Sequence, residues 1–356
     1  MARESLSLSF LPFPARLLLL LAWLLAGGLA RGLARRRPAG WARAVAALPL
    51  VALNQLAAAG FFDGDAELIN NCAHFSTACI TNMKLLAWAM GRGSLTHPLT
   101  FAQWLAVYAL PIIPADEQAG PPDAGGKQQE DEQEEPEDSQ AKRKGARRPG
   151  PTAQARSGFS QYLGLSLGAD AMAAAVTSTT GLAIAPPFNN PYASTSLADF
   201  WNRRWNMTVS AVLRAAVYDV IMDGRFVRRA GVAAPFSRAR RLVAVLAVFF
   251  CSGVMHELLF WNFSGHFSPR LVWLVYFTLW GVLVVTENVA KRMLRRAGLS
   301  VPTPLSRLLT LVTIQVMGGY LWWPPMEQLG LPEKATAHTL QTWRALQKTL
   351  LGARTN

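Results

Sequence analysis

The feature that most constrains this 356-residue chain is a series of apolar runs close to the length that crosses a lipid bilayer. A transmembrane helix needs about 20 predominantly apolar residues. Two short runs, His74–Met90 with Lys84 inside it and Pro98–Ile113, belong to the series. The longer ones are Leu17–Ala30, Ala44–Phe62, Tyr162–Ala185, Leu242–Phe263, Leu271–Thr286 and Leu305–Trp323. The sequence predicts an all-α, polytopic transmembrane protein of about eight spans.

Composition and charge agree with a membrane protein. Apolar residues make up 51% of the chain and charged residues 16%, against roughly 25% charged in soluble domains. The net charge of +13 is compatible with nucleic-acid binding, but the arginines lie at the ends of apolar runs. We therefore expect membrane lipids and no nucleic acid as partners. The three cysteines form no zinc-spaced cluster with histidine, so no metal site is expected.

Loop charge predicts the orientation of the spans. Basic residues concentrate in four loops: Arg31–Arg43, the loop with Arg92, Pro186–Arg241 and Lys291–Arg307. With eight spans all four fall on one side, which the positive-inside rule makes cytoplasmic. The small residues Ala26–Ala30 also suit a signal peptide, but the arginines that follow favour an uncleaved first span.

Residues 114–157 form a low-complexity segment in which an acidic block precedes a basic block. We interpret it as a disordered charged linker inside one membrane domain that covers residues 1–356. Pairing of the two blocks with each other or with a partner is the alternative.

A first motif lies in the loop Pro186–Asp223. Ser196, with Asp199 three residues later, is typical of a helix start. A helix begun there brings together residues four apart, namely Asp199 with Arg203, Phe200 with Arg204, and Trp201 with Trp205. The apolar stripe beyond predicts one long amphipathic helix, or two joined, at the cytoplasmic interface. Tryptophan and arginine also serve as plain interfacial anchors, but Asn206 needs a hydrogen-bond partner if it is buried.

A second motif places His256 and Glu257 inside the run Leu242–Phe263. Ionisable groups at membrane depth are costly and face a cavity or a partner. Ser252 lies one turn before His256, so its hydroxyl is a candidate partner for the imidazole. Glu257 points about 100° away and needs another partner. A His–Glu pair that holds two helices together is the structural alternative.

The chemistry that these residues suggest is acyl transfer by direct attack. Imidazole can take a proton from a hydroxyl and return one to a leaving group. His256 would activate an alcohol, and Asn206 would hold the acyl donor or donate to the oxyanion.

At these motifs the chain resembles the plant wax-synthase branch of the membrane-bound O-acyltransferase superfamily. The matching stretches are Asn189–Asn206, Ser252–Phe260 and, more loosely, Asn82–Leu95 leading to Leu110-Pro111-Ile112. The specific element is the run Asp199–Asn206 (DFWNRRWN) followed some fifty residues later by SGVMHEL.

The resemblance implies a multi-pass protein of the endoplasmic reticulum membrane with a substrate tunnel. It implies transfer of a fatty acyl group from acyl-CoA to a long-chain alcohol, giving a wax ester, with acyl-CoA as co-substrate and no cofactor. The family's active-site histidine falls on His256 and its motif asparagine on Asn206. Arg203 and Arg204 become candidates for the CoA phosphates. Other predicted substrate-binding residues are Trp201, Trp205, Ser252 and Glu257.

Two departures from the family pattern leave substrate preference open. Asn202 stands where the family pattern has glycine, and the charged linker is long. Sterol and diacylglycerol O-acyltransferases are alternatives within the family, because tunnel shape sets the acceptor. A transporter with a His256–Glu257 proton relay and an inactive scaffold are alternatives from other classes.

Overall fold

Helices make up the regular secondary structure of the part of the chain that this computed structural model describes, residues 13–60, 75–118, 153–228 and 237–330. Within those residues there is no strand, and one isolated antiparallel bridge joins Pro114 to Ile184. The all-α prediction is confirmed for these residues.

Four helices form the first packed unit. They surround a core that contains Trp23, Leu85, Trp88, Trp104 and Tyr108. A π-helical turn over Phe75–Ile80 leads into the third helix. The helices are α1 (Phe13–Arg36), α2 (Trp41–Gly60), α3 (Thr81–Ala89) and α4 (Phe101–Ala109).

The lysine inside the third apolar run is a structural cap. Lys84 is 2% exposed, and its Nζ donates to three main-chain carbonyls at the end of α4. These belong to Val107 and Leu110 at 2.7 Å and Ile112 at 2.8 Å. A cation suits the negative end of a helix, so Lys84 joins α3 to the chain that follows α4.

The prediction of about eight spans is not confirmed. Helix α4 has nine residues, about 14 Å of helix, and α3 has nine residues after the six-residue π-helical turn, so as described both are shorter than a typical span. Among the described residues, two helical stretches are long and apolar enough to cross one: Arg238–Trp261 and Pro269–Arg296.

The described residues at both ends of segment 114–157 are helical. Helix α5 (Ala115–Gln118) occupies its start, and helix α6 (Ala153–Thr180) begins before its end. Helix α5 packs against the chain near residue 210, which gives it a tertiary role. The remaining residues, 119–152, lie outside the described part of the chain.

The loop Pro186–Asp223 forms two joined helical segments. The first is α7 (Leu197–Asp199) with a π-helical turn over Phe200–Arg204. The second is α8 (Met207–Leu213), a π-helical turn over Arg214–Tyr218, and α9 (Asp219–Asp223). They meet at Asn206, whose φ of 43° is left-handed and ends the first segment. Helix α8 is largely buried, so it packs inside the protein and does not merely lie at an interface.

Helices α10 (Arg238–Ser264) and α11 (Val272–Arg296) form a long antiparallel hairpin. A Cβ on Gly253 would lie 2.9 Å from Cδ1 and 3.0 Å from Cα of Leu274. The two backbones therefore approach at a distance that only glycine permits. Helix α12 (Thr303–Met317), a π-helical turn over Gly318–Trp322, and α13 (Trp323–Gln328) follow.

Large apolar side chains stay exposed along whole helix faces. On α10 they recur at helical spacing and form one continuous face. Similar faces lie on α1, α11 and α12. The α10 face consists of Phe250, Val254, Leu258 and Trp261, which are 39–49% exposed. Exposed apolar surface of this extent marks a membrane or partner interface.

The structure brings the four basic loops together. Three contacts join the other basic loops to the loop Pro186–Arg241: Trp41 stacks on Phe226 at 4.2 Å, Arg92 pairs with Asp223 at 2.7 Å, and Lys291 donates to the Thr195 carbonyl at 3.2 Å. The basic loops therefore lie at one end of the molecule, whereas the α10–α11 connection lies at the other end of the hairpin.

Candidate active site

His256 is held by the main chain of its own helix. Its Nδ1 lies 2.7 Å from the carbonyl oxygen of Ser252, one turn earlier. A carbonyl oxygen only accepts hydrogen bonds, so Nδ1 carries the proton and Nε2 is the basic nitrogen of the neutral ring. The expectation that the Ser252 hydroxyl holds the imidazole is wrong, because the carbonyl provides this hydrogen bond.

Among the described residues, three aromatic rings contact the imidazole of His256. Phe277 stacks on it with centroids 4.0 Å apart and an interplanar angle of 25°. Trp322 and Trp273 meet it edge to face, at 5.5 and 6.3 Å. The imidazole is partly buried. The base candidate thus lies among apolar walls contributed by α11 and by the π-helical turn after α12.

Glu257 lies on another side of α10 and is a structural carboxylate. Its Oε2 accepts from the Ser268 N–H at 2.9 Å, and its Oε1 accepts from the Ser268 hydroxyl at 2.6 Å and the Leu274 N–H at 3.0 Å. These donors lie in the α10–α11 connection and the first turn of α11. A carboxylate is favourable there because the N-terminus of a helix is partly positive. Glu257 therefore holds the hairpin together, and its contact with substrate stays a prediction.

Asn206 caps helix α8. Its side-chain Oδ1 accepts from the Val209 N–H at 3.3 Å, and its own left-handed backbone is one that asparagine tolerates. In the described residues the Asn206 and His256 motifs meet through packing of α8 on α10. Val209 and Leu213 lie in one buried cluster with Met255, the neighbour of His256.

The π-helical turn over Phe200–Arg204 changes the expected side-chain pairs. The Ser196 cap is confirmed, because its Oγ accepts from the Asp199 N–H at 2.8 Å. Beyond it, partners are five residues apart, not four. Asp199 pairs with Arg204 at 2.7 Å, and Phe200 stacks on Trp205 at 5.5 Å. The pairings predicted for an α-helix are wrong, since a π turn closes from residue i to i+5.

The structure separates the two tryptophans of this motif. Trp201 lies 6.0 Å from Phe277, the ring that stacks on His256. Its Nε1 is buried and has no hydrogen-bond partner among the described residues. Trp205 instead joins an aromatic group with Phe188 at 5.2 Å. Trp201 thus belongs to the surroundings of His256, and Trp205 packs the loop before α7.

The two arginines of the motif also differ. Arg204 pairs with Asp199 through Nε and directs Nη1 at the Asn189 and Asn190 carbonyls at 3.3 and 3.4 Å. Arg203 is exposed. Arg204 therefore stabilises the loop, and Arg203 is the arginine of this pair that points to solvent.

Sequence reasoning missed Trp273, Phe277 and Trp322. The first two lie in an apolar run that periodicity assigns to a lipid-facing or core helix equally well. Trp322 is 66 residues from His256, and no spacing rule connects them. The adjacent tryptophans Trp322 and Trp323 are the one sequence signal that could have pointed to this part of the site.

Comparison with known proteins places the chain among acyltransferases. Residues 184–279 match the Membrane bound O-acyl transferase family. An acyl-CoA–sterol O-acyltransferase of Arabidopsis thaliana is 30% identical over 275 residues, 73% of this chain and 76% of that protein. No solved structure matches the chain significantly.

Long-chain-alcohol O-fatty-acyltransferases match over a shorter length. The one from Simmondsia chinensis is 33% identical over 198 residues, 54% of this chain and 53% of that protein. A probable one from Arabidopsis thaliana is 36% identical over 163 residues, 45% of each. The chain thus matches about half the length of these relatives and three quarters of the sterol enzyme. The chain belongs to the membrane bound O-acyl transferase family.

Proposed function

We propose that the chain transfers a fatty acyl group from acyl-CoA to a long-chain alcohol, producing a wax ester and free CoA. The observation that carries this proposal is the hydrogen bond from His256 Nδ1–H to the Ser252 carbonyl at 2.7 Å. It makes Nε2 the basic nitrogen at the centre of an aromatic site. A general base with that tautomer is what direct attack by an alcohol requires.

In the proposed step, Nε2 removes the proton of the alcohol as its oxygen bonds to the thioester carbon. The tetrahedral intermediate then collapses, the carbon–sulfur bond breaks, and the imidazolium returns the proton to the CoA thiolate. Asn206 is the proposed donor to the oxyanion or to the acyl-CoA. The buried Trp201 N–H supports a substrate-binding role for that residue, because an unpaired buried donor costs about 1–3 kcal/mol without a ligand.

The basic end of the molecule is the proposed entry for the CoA group. Arg203 is exposed there, and guanidinium groups bind phosphate with paired hydrogen bonds. Arg204 acts indirectly, by fixing the loop through Asp199. A cytoplasmic basic face would also suit anionic lipid headgroups.

The proposed acceptor follows from the aromatic walls and from the relatives. Phe277, Trp273 and Trp322 give His256 apolar aromatic surroundings, which suit a lipid alcohol. Several relatives are named for long-chain alcohols. A sterol is the second candidate, because the sterol enzyme matches the largest share of the chain among these relatives.

We further propose that the chain crosses the endoplasmic reticulum membrane several times. The exposed apolar faces on α1, α10, α11 and α12 support this, since such faces suit lipid contact.

A direct acyl-transfer assay tests the function. Membranes from a host with little neutral-lipid synthesis of its own would receive labelled acyl-CoA with a fatty alcohol, a sterol or a diacylglycerol. We expect labelled ester with the fatty alcohol, and a loss of about 10²- to 10⁴-fold in His256→Ala. His266→Ala is the matched control, because His266 is exposed in the α10–α11 connection.

Each other outcome changes the proposal in a defined way. Ester from sterol or diacylglycerol alone would keep the mechanism and replace the acceptor. Full activity in His256→Ala at matched expression would show that His256 is not the general base. Transfer to none of the three acceptors by a well-expressed chain would overturn the proposed reaction.

A further inference from the structure

The turn after α12 is built differently from the helix before it. Across Gly318–Trp322 the chain is π-helical, and the Trp323 N–H bonds to the carbonyl of Gly318, five residues earlier. The extra residue rotates the following chain by about 100° relative to a continuous α-helix. Single π turns are frequent at functional sites. This one lies outside residues 184–279, the part that matches the family.

The side chain that this turn delivers to the site is Trp322. Its ring meets the imidazole of His256 edge to face at 5.5 Å and stacks on Trp273 at 4.5 Å. It also lies within 6.0 Å of Tyr276 and Phe277. Trp322 therefore contacts both of the other described rings that meet His256, Trp273 and Phe277.

The main chain of the same residue is anchored separately. The Trp273 Nε1–H donates to the Trp322 carbonyl at 3.3 Å. Because this bond uses the backbone, replacing the Trp322 side chain leaves it in place. Side-chain effects can thus be separated from loss of the turn.

We propose that Trp322 is a positioning residue for the base, an inference that rests on the proposed acyl transfer. Phe277 covers one face of the imidazole, and Trp322 blocks rotation from the edge. With both rings present, Nδ1 stays on the Ser252 carbonyl and Nε2 keeps its direction toward the substrate. Without the indole, the imidazole gains freedom to swing about its side-chain bonds.

The test compares Trp322→Leu, Trp322→Phe and Tyr320→Leu in the membrane assay. Tyr320 is the matched control, because it lies in the same turn and is 78% exposed. We expect Trp322→Leu to lower kcat about tenfold or more with KM for both substrates little changed, since misplacement of a reacting group costs rate. Trp322→Phe should recover most of kcat, and Tyr320→Leu should match the wild type. Loss confined to KM, or no recovery with phenylalanine, would overturn the positioning role.

A second measurement does not depend on activity. Diethyl pyrocarbonate modifies exposed imidazoles, and mass spectrometry can report modification of His256 relative to His266 in the same digest. We expect a several-fold rise of this ratio in Trp322→Leu and none in Tyr320→Leu. An unchanged ratio in Trp322→Leu would overturn the inference. If the wild type transfers no acyl group and Trp322→Leu still raises the ratio, the proposed reaction fails but Trp322 is still shown to cover His256.

Discussion

At the scale of single residues, the hydrogen bond that orients His256 comes from the main-chain carbonyl of Ser252, whereas sequence reasoning assigns it to the Ser252 hydroxyl. The Ser252 carbonyl already accepts a hydrogen bond within α10, and its second lone pair holds His256 Nδ1. Any residue at position 252 supplies that carbonyl. The identity of the side chain there is therefore secondary to the helix itself.

Ser252→Ala should consequently retain acyl transfer within about threefold of the wild type, since the carbonyl that orients His256 is unchanged. The measurement is kcat/KM for the alcohol at matched expression, with His256→Ala as the inactive reference. A loss in Ser252→Ala as deep as in His256→Ala would show that the hydroxyl takes part.

Residue-level reasoning is most specific where one residue type has few uses. A histidine inside an apolar run could be singled out because its desolvation needs a reason. The same reasoning singles out its neighbour Glu257, whose carboxylate accepts hydrogen bonds from the first turn of α11 and the connection before it. The three donors to Glu257 lie 11 and 17 residues ahead, and their position depends on where the hairpin turns. The sequence does not give that position.

At the scale of elements, the α10–α11 crossing depends on one glycine. Gly253 lies one turn before His256 and faces the backbone of Leu274. That close approach lets the Glu257 carboxylate reach the Leu274 N–H at 3.0 Å and brings Phe277 onto the imidazole. The crossing and the site are therefore set by the same contact.

Gly253→Ala should lower both stability and activity. The added methyl would sit 2.9–3.0 Å from Leu274 atoms, one of them backbone, so α11 must shift. Overpacking of this kind costs about 1–3 kcal/mol. Thermal unfolding in detergent and the transfer assay check both effects.

Gly164→Ala is the matched control, because that glycine lies in α6 with nothing within 4 Å of an added Cβ. It should be neutral or slightly stabilising. A Gly253→Ala variant as stable and active as Gly164→Ala would contradict the close crossing.

Element-level prediction is limited by the π turns. Hydrophobic period and the Ser196 cap correctly start a helix at Leu197. The hydrophobic periodicity assumes 3.6 residues per turn and therefore predicts that Asp199 pairs with Arg203. In the structure Asp199 pairs with Arg204. A π turn is stabilised by its tertiary neighbours, here the loop carbonyls that Arg204 binds. Local sequence contains no equivalent signal.

At the scale of the whole molecule, the distribution of loop charge predicts the arrangement of the chain better than the count of membrane spans does. Two of the eight predicted runs are short helices as described: α4 has nine residues, and α3 has nine after a six-residue π-helical turn. The four basic loops nevertheless meet at one end, joined by contacts such as Arg92 with Asp223. Loop charge is a collective property and survives an error in counting individual spans.

Single cysteines can locate that basic end. In a background without native cysteines, we expect Arg36→Cys, Arg225→Cys and Arg295→Cys to react with an impermeant maleimide in sealed microsomes, whose cytoplasmic face is outward. His266→Cys lies about 40 Å away along α10 and should react only after permeabilisation. Equal labelling of all four in sealed vesicles would contradict a membrane-crossing hairpin.

The sequence distance of Trp322 has a consequence for biosynthesis. Ser252, Trp273 and Phe277 all lie within 21 residues of His256, whereas Trp322 lies 66 residues downstream. A growing chain therefore has these three neighbours of the imidazole as soon as the hairpin has been synthesised, and acquires Trp322 only after α12 has followed. A premature stop between the hairpin and residue 322 would leave the helical pair able to form around an unfinished site. Loss of the C-terminal part of the chain should abolish turnover before it abolishes folding of the hairpin.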